Sequence, residues 1–218
     1  MKITTRLIAS FSTVIVLSGV MGLIGYRGLT SVSADLEDVG TNRGPSVQAL
    51  LTIQEACSTL RGANSTLMIE SLPPERRAMQ KTFREESYAG IKRGWDIYAP
   101  LPQTDEEARV WSTFETKFTT WSQAAKEIAS LIESWEQAKD EAKPAEAIAG
   151  AYSAAMAKFL EGAGLFAALK PDLDKLVALN VDLATQETNR GLENSKSALT
   201  TMTAAIGILV LVGAVLAA

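Results

Sequence analysis

Histidine is absent from this chain of 218 residues, and cysteine occurs once, as Cys57. Without histidine, the chain lacks the commonest ligand for zinc and haem and the usual general base of enzymes. A lone cysteine cannot form an internal disulfide bond, so packing must stabilise the fold. The sequence also lacks the G-x-S-x-G and P-loop patterns. We therefore expect no catalytic residue, no bound metal, no cofactor and no enzymatic activity.

Neither sign of charge dominates the sequence, and no stretch alternates as a half-buried strand would. The 21 basic and 25 acidic residues give a net charge of −4, and the two signs are interspersed. A nucleic-acid footprint or a polybasic membrane patch needs clustered basic residues, so neither is expected. The valine and isoleucine residues fall on helical spacing or in apolar runs, which predicts an all-α protein.

Two uncharged apolar runs stand at the two ends of the chain. The first, residues 7–26, has about the twenty residues that a helix needs to cross roughly 30 Å of hydrocarbon. Lys2 and Arg6 precede it and only Arg27 follows, so the N-terminus should stay cytoplasmic. A signal peptide is the alternative, but the run exceeds the usual length and lacks a clean cleavage site. The second run follows Lys196 and continues to the last residue.

These runs divide the chain into four predicted regions. They are a cytoplasmic N-terminus (1–6), a first transmembrane helix (7–27), a periplasmic domain (28–200) and a second, truncated transmembrane helix (201–218). The periplasmic region contains four helical stretches, at about 28–69, at about 75–98, from the Thr104 cap through Trp135 to a turn at Lys143-Pro144, and at about 145–200. We predict an up-down-up-down four-helix bundle between two transmembrane helices.

Seams of apolar residues at steps of three and four support each helix. The seam of the third helix is the most regular, and a capping box at Thr104 begins that helix. Gly44-Pro45 allows a kink in the first helix, and Pro171 should kink or divide the fourth. The seams are Leu50, Ile53, Cys57, Leu60, Asn64 and Leu67 in the first helix; Tyr88, Ile91, Trp95 and Tyr98 in the second; and Trp111, Phe114, Phe118, Trp121, Ala125, Ile128, Ile132 and Trp135 in the third.

The hairpin at residues 95–107, WDIYAPLPQTDEE, is similar to a W-x-x-Y-x-P-L-P-x-T-x-E-E pattern of bacterial methyl-accepting chemotaxis receptors. With the two apolar runs, nearly the whole chain resembles the four-helix-bundle sensor region of those receptors. The resemblance implies a homodimer in the bacterial inner membrane that binds small ligands outside and transmits a helix displacement inward. It also implies a cytoplasmic signalling domain beyond Ala218. Such modules also occur on histidine kinases and diguanylate cyclases, and a membrane-anchored spacer without ligand is a further alternative.

Counting about 1.5 Å per residue along the helices predicts one band of polar and aromatic side chains. Three cations in it suit a carboxylate, and we expect a di- or tricarboxylate as ligand. In aspartate-type receptors, arginines on the first helix hold the ligand, and Arg61 matches them in place and type. The alternatives are that Arg61 pairs with a neighbouring glutamate and that Asn64 is a buried amide that sets the register. The predicted ligand residues are Arg61, Asn64, Arg84, Tyr88, Phe166 and Lys170, with Phe118 and Trp121 at the same level.

Overall fold

The computed structural model describes the backbone of residues 3–217 and the side chains of residues 8, 11–211, 213 and 214. The topology prediction rests partly on Lys2, which lies outside these residues. Within them all regular structure is helical, with no strand, so the all-α prediction is confirmed. The elements are α1 (Ile3–Asp38), a π-helical turn (Val39–Arg43), α2 (Gly44–Leu67), α3 (Pro74–Tyr98), α4 (Asp105–Asp140) and α5 (Ala145–Ala217).

The chain divides into two compact units. The bundle unit, Gly44–Val181, contains α2, α3, α4 and the first half of α5, which are the four helices of the predicted bundle. The two-helix unit contains α1, the π-helical turn and α5 from Asp182 onward. The predicted region boundaries at residues 27 and 200 concern the membrane and stay predictions.

One helical run in the described part of the chain is long and apolar enough to cross a membrane. It extends over 57 residues, Phe11–Leu67, and its apolar part is the first uncharged run. Large apolar side chains of α1, including Phe11 and Ile15, are exposed, as are Val210 and Leu211 near the end of α5. The second transmembrane helix stays a prediction.

The start of α4 follows from its sequence. Thr104 Oγ1 accepts a hydrogen bond from the Glu107 amide, and the Glu107 carboxylate accepts one from the Thr104 amide, which confirms the capping box. Both bonds satisfy amides that have no partner in the first helical turn. Glu106 does not take part and pairs with Lys175 instead (2.8 Å). The a/d seam of α4 is buried from Trp111 onward, apart from the half-buried Phe118.

Glycine allows α2 and α3 to approach closely. A methyl group on Gly94 would lie 2.6 Å from the Ala49 carbonyl oxygen, and one on Gly90 would lie 3.1 Å from the Ala56 methyl. The pairing of later α3 residues with earlier α2 residues shows that the two helices are antiparallel. The same register places Arg84 near the level of Arg61.

Pro171 neither divides α5 nor ends it, since the helix is continuous from Ala145–Ala217. Proline lacks the amide hydrogen that would close a helical hydrogen bond four residues back. Lys117 of α4 donates to the nearby Ala168 carbonyl (3.1 Å) and pairs with Asp172 (2.7 Å). A side chain from a neighbouring helix thus binds a carbonyl next to that of Ala167, the one that Pro171 leaves without its helical donor.

Candidate functional site

Arg61 lies on the exposed side of α2, against the ring of Phe166 in α5. Its guanidinium carbon is 5.0 Å from the ring centroid, within the range of a cation–π contact. Among the described residues no carboxylate lies within ion-pair distance of it, so the glutamate partner of the alternative interpretation is not observed. Arg61 therefore presents an un-neutralised guanidinium held in place by an aromatic ring.

Asn64, one turn further along α2, is buried at 2% exposure. Its Oδ1 has no hydrogen-bond partner among the described residues. It lines a cavity of about 10 Å³ with Arg61, Trp121, Gly162 and other residues of α4 and α5. This volume holds about one water molecule, which would satisfy the amide oxygen. The cavity is too small for a dicarboxylate.

Arg84 and Tyr88 form a separate group on α3. Arg84 is buried, and its Nη2 donates to Glu133 of α4 (2.6 Å), while its Nη1 and the Tyr88 hydroxyl have no partner in the described structure. Burial raises the pKa of the Tyr88 phenol, and the charge of Arg84 opposes this rise. Glu133 therefore already neutralises the second cation of the predicted band.

Lys170 lies apart from the cavity and is exposed. Its Nζ pairs with Asp174 one turn along α5 (2.6 Å), and the same carboxylate accepts a hydrogen bond from Gln54 of α2 (2.7 Å). Phe166 is buried and packs against Trp121, with ring centroids 5.7 Å apart.

The structure thus brings together Arg61, Asn64 and Phe166, with Trp121 beside them, at one level of the bundle unit. Arg84 and Tyr88 do not line the cavity, and Lys170 is engaged elsewhere. Sequence reasoning missed Glu133, because a heptad pattern marks one face of α4 and does not tell which cation of α3 meets a residue beside that face. Whether the band binds a ligand stays a prediction.

A larger groove of about 360 Å³ lies at the turn between α2 and α3. Its cations are occupied by structural contacts. Arg77 donates to the carbonyl oxygens of Leu67 and Ile69 (both 2.9 Å) and to Glu136 (2.7 Å), which also binds Lys81. Burial opposes ionisation of Glu136, but the hydrogen bonds from Lys81 and Arg77 outweigh it and lower its pKa. Arg77 thus satisfies backbone carbonyls at the end of α2, and we assign the groove a structural role.

The match to known proteins agrees with this architecture. A family model described as a four helix bundle sensory module for signal transduction matches residues 1–194. No curated protein and no solved structure matches the chain. Because the matched region covers most of the 218 residues, this chain belongs to the family of four-helix-bundle sensory modules for signal transduction.

Proposed function

We propose that this chain is the input region of a transmembrane chemoreceptor. It binds a small extracellular ligand and transmits the signal across the bacterial inner membrane to a cytoplasmic domain that controls chemotaxis. Membership of the sensory-module family supports the input role. The apolar helix in α1 and the exposed apolar side chains near both chain ends support the membrane placement. With two membrane spans, the bundle unit lies in the periplasm.

The topology rests on Lys2 and Arg6 before the first apolar run. A reporter enzyme fused at Lys143, in the turn between α4 and α5, should therefore behave as an exported protein. A cytoplasmic signal from this fusion would overturn the membrane placement and, with it, the receptor function.

The single observation that carries the ligand proposal is that the Arg61 guanidinium is exposed and not neutralised. It is oriented by the Phe166 ring and has no carboxylate partner among the described residues. A fixed guanidinium favours a planar carboxylate, which it can bind through two parallel hydrogen bonds. Because the cavity behind it holds about one water, the ligand lies on the surface of α2 and α5, with Asn64 behind it. A di- or tricarboxylate is the proposed ligand class.

The exposed position of Arg61 leaves room for a second copy of the chain to cover the ligand. We place a parallel homodimer along the first and last helices, where polar residues such as Gln186 and Asn194 replace the apolar seam of α5. Cysteines introduced at successive positions of α1 near Ser31 should crosslink between two copies at some helical phases. Failure at every phase would indicate a monomer.

Thermal-shift measurements with a panel of small carboxylates test the ligand, because a ligand of the folded state alone raises its stability. Calorimetry with an acid that shifts the melting temperature then tests the site. Arg61→Ala should weaken binding at least about tenfold, since it removes a charge-assisted bidentate bond. Arg93→Ala is the matched control, because Arg93 is also exposed and has no ion pair in the described structure. Unchanged affinity in a folded Arg61→Ala protein would refute the site.

Two alternatives keep the same architecture. The module could serve a histidine kinase or a diguanylate cyclase, which the sequence of the output domain distinguishes. A spacer without ligand would give no thermal shift with any compound and no effect of Arg61→Ala on anything but stability. Arg84→Ala should lower stability and leave affinity unchanged, since Arg84 is bound to Glu133.

A further inference from the structure

The π-helical turn between α1 and α2 lies in the two-helix unit and is fixed by its own side chains. Asp38 accepts hydrogen bonds from Asn42 Nδ2 (3.2 Å) and Arg43 Nε (3.1 Å), four and five residues further along. One carboxylate therefore holds the last two residues of the π-helical turn. Such turns are rare and are frequent at functional sites.

A second carboxylate approaches the same guanidinium from α5. Glu187 Oε1 lies 3.7 Å from Arg43 Nε, and the side chains of Arg43 and Glu187 are only 9% and 15% exposed. Beside them, Arg190 of α5 lies 3.9 Å from Asp35 of α1. One oxygen each of Glu187 and Asp35 is buried without a hydrogen-bond partner in the described structure. Three acids thus share two arginines, and of these five groups Arg43, Asp35 and Glu187 are largely buried while Asp38 and Arg190 reach the solvent.

This arrangement disfavours ionisation of both Asp38 and Glu187 together, since two carboxylates this close repel each other. Burial raises the pKa of Glu187, and the hydrogen bond and charge of Asp38 add to the rise, against Arg43 and Arg190. For Asp38, burial is outweighed by hydrogen bonds from Asn42 and with Glu187 and by the charge of Arg43, so its pKa is lowered. Glu187 is therefore the group that takes up a proton first.

We propose that Asp38, Arg43 and Glu187 form a proton-responsive junction, which tightens the pairing of α1 and α5 at the π-helical turn when Glu187 is protonated. Neutral Glu187 no longer repels Asp38 and can donate a hydrogen bond to it, while Arg43 stays with Asp38. The junction thus gives the receptor an input for external acidity. It is distinct from the ligand band around Arg61 and does not depend on a ligand.

The sign of the response follows from linkage. Because the pKa of Glu187 is raised, its ionised form weakens the junction, and this cost disappears as pH falls through that raised pKa. Because the pKa of Asp38 is lowered, its contribution is present above its ordinary value and is lost as pH falls through the lowered one. The junction is therefore tightest in the mildly acidic window between the two.

Hydrogen–deuterium exchange on the full chain in lipid nanodiscs tests the proposal. Protection of the amides of residues 40–47 is compared between the wild type and Glu187→Gln at each pH from about 7.5 to about 4.5, so that the intrinsic exchange rate cancels. Glutamine is neutral at every pH and mimics the protonated acid. We expect the wild type to be less protected than the variant at neutral pH, by about threefold or more, and to approach the variant as pH falls towards about 4.5.

Two further variants sharpen the test. Glu193→Gln changes an exposed acid of the same helix and should keep the wild-type response. Asp38→Asn removes one cause of the raised Glu187 pKa, so the midpoint of the response should move to lower pH if the variant keeps its helical circular dichroism. A wild type whose protection equals that of Glu187→Gln at neutral pH, or a Glu187→Gln protein that keeps the wild-type response, would overturn the proposal.

Discussion

The bundle unit and the two-helix unit bury different kinds of side chain. In the bundle unit the interior is mostly apolar and rich in rings, with Trp95, Trp111 and Phe114 in mutual contact at centroid distances of 4.5–5.8 Å and a few buried polar groups such as Arg84. Among the described residues of the two-helix unit the buried ones are Asn42, Arg43 and Gly191, and the large aliphatic side chains are mostly exposed. Two helices alone cannot enclose an apolar core, whereas four can.

This difference suggests that the two units differ in how easily their contacts rearrange. An apolar core stabilises one arrangement, because a displaced ring loses contacts on every side. Charged groups held by a few hydrogen bonds can exchange partners at lower cost, and their balance depends on protonation. We therefore expect the bundle unit to act as a rigid body and the junction at the π-helical turn to be the adjustable part of the molecule.

The largest expected effect tests the stability of the bundle unit. Phe114→Ala should lower its free energy of unfolding by about 3–5 kcal/mol, since Phe114 is completely buried and packs against three other rings. Denaturant unfolding followed by tryptophan fluorescence measures the loss. Phe83→Ala is the control, because Phe83 is 37% exposed and its removal should cost under about 1 kcal/mol. Equal losses in the two variants would contradict the assignment of the core.

Arg77→Ala should give the next largest loss, about 2 kcal/mol. Arg77 satisfies two backbone carbonyls at the end of α2 and pairs with Glu136, and its side chain is 16% exposed. Its neighbour Arg76 is exposed and makes no ion pair in the described structure, so Arg76→Ala should change stability by under about 0.5 kcal/mol. Denaturant unfolding measures both variants. Because each loses one positive charge, the difference between them is due to the contacts that only Arg77 makes. An equal loss of stability in the two variants would mean that the contacts of Arg77 do not stabilise the bundle unit.

Acid should affect the stability of the two units in opposite directions. Glu136 has a lowered pKa, so its contribution to the bundle unit is present above its ordinary value of 4.5 and is lost as pH falls through the lowered one. The junction around Glu187 responds in the opposite direction. Amide exchange measured over a pH series extended well below about 4.5 should therefore show the α2–α3 turn opening after the π-helical turn has tightened. The change at the turn should be smaller than in Arg77→Ala, because the arginine itself remains.

Some of these structural features could be predicted from the sequence. The Thr104 capping box and the seam of α4 were predictable because each depends on residues close together in one helix. Cys57 was expected in the core and is completely buried. In these cases a local pattern was sufficient.

The partners across helices were not predictable in the same way. Lys170 was predicted at the level of Arg61 but forms an ion pair with Asp174 on its own helix. Arg84 forms an ion pair with Glu133 on α4. A residue count gives the level of a side chain and does not give its direction or its nearest acid. The π-helical turn was also missed. The sequence allowed a kink at Gly44-Pro45, directly after the turn, but the hydrogen bonds of Asp38 fix the turn and no sequence period marks them.

The smallest effect concerns the exposed face of α2 beside Arg61. A methyl group added to Gly62 would meet nothing within 4 Å, so Gly62→Ala should stabilise the isolated chain by about 0.5–1 kcal/mol through the helix propensity of alanine. Gly94→Ala is the contrasting control, since its methyl group would lie 2.6 Å from the Ala49 carbonyl oxygen and must destabilise the unit. In the proposed homodimer a second copy approaches Arg61, so the added methyl could also alter association. Unfolding at two protein concentrations distinguishes these effects, because a gain that belongs to one chain is independent of concentration, whereas a change in association is not.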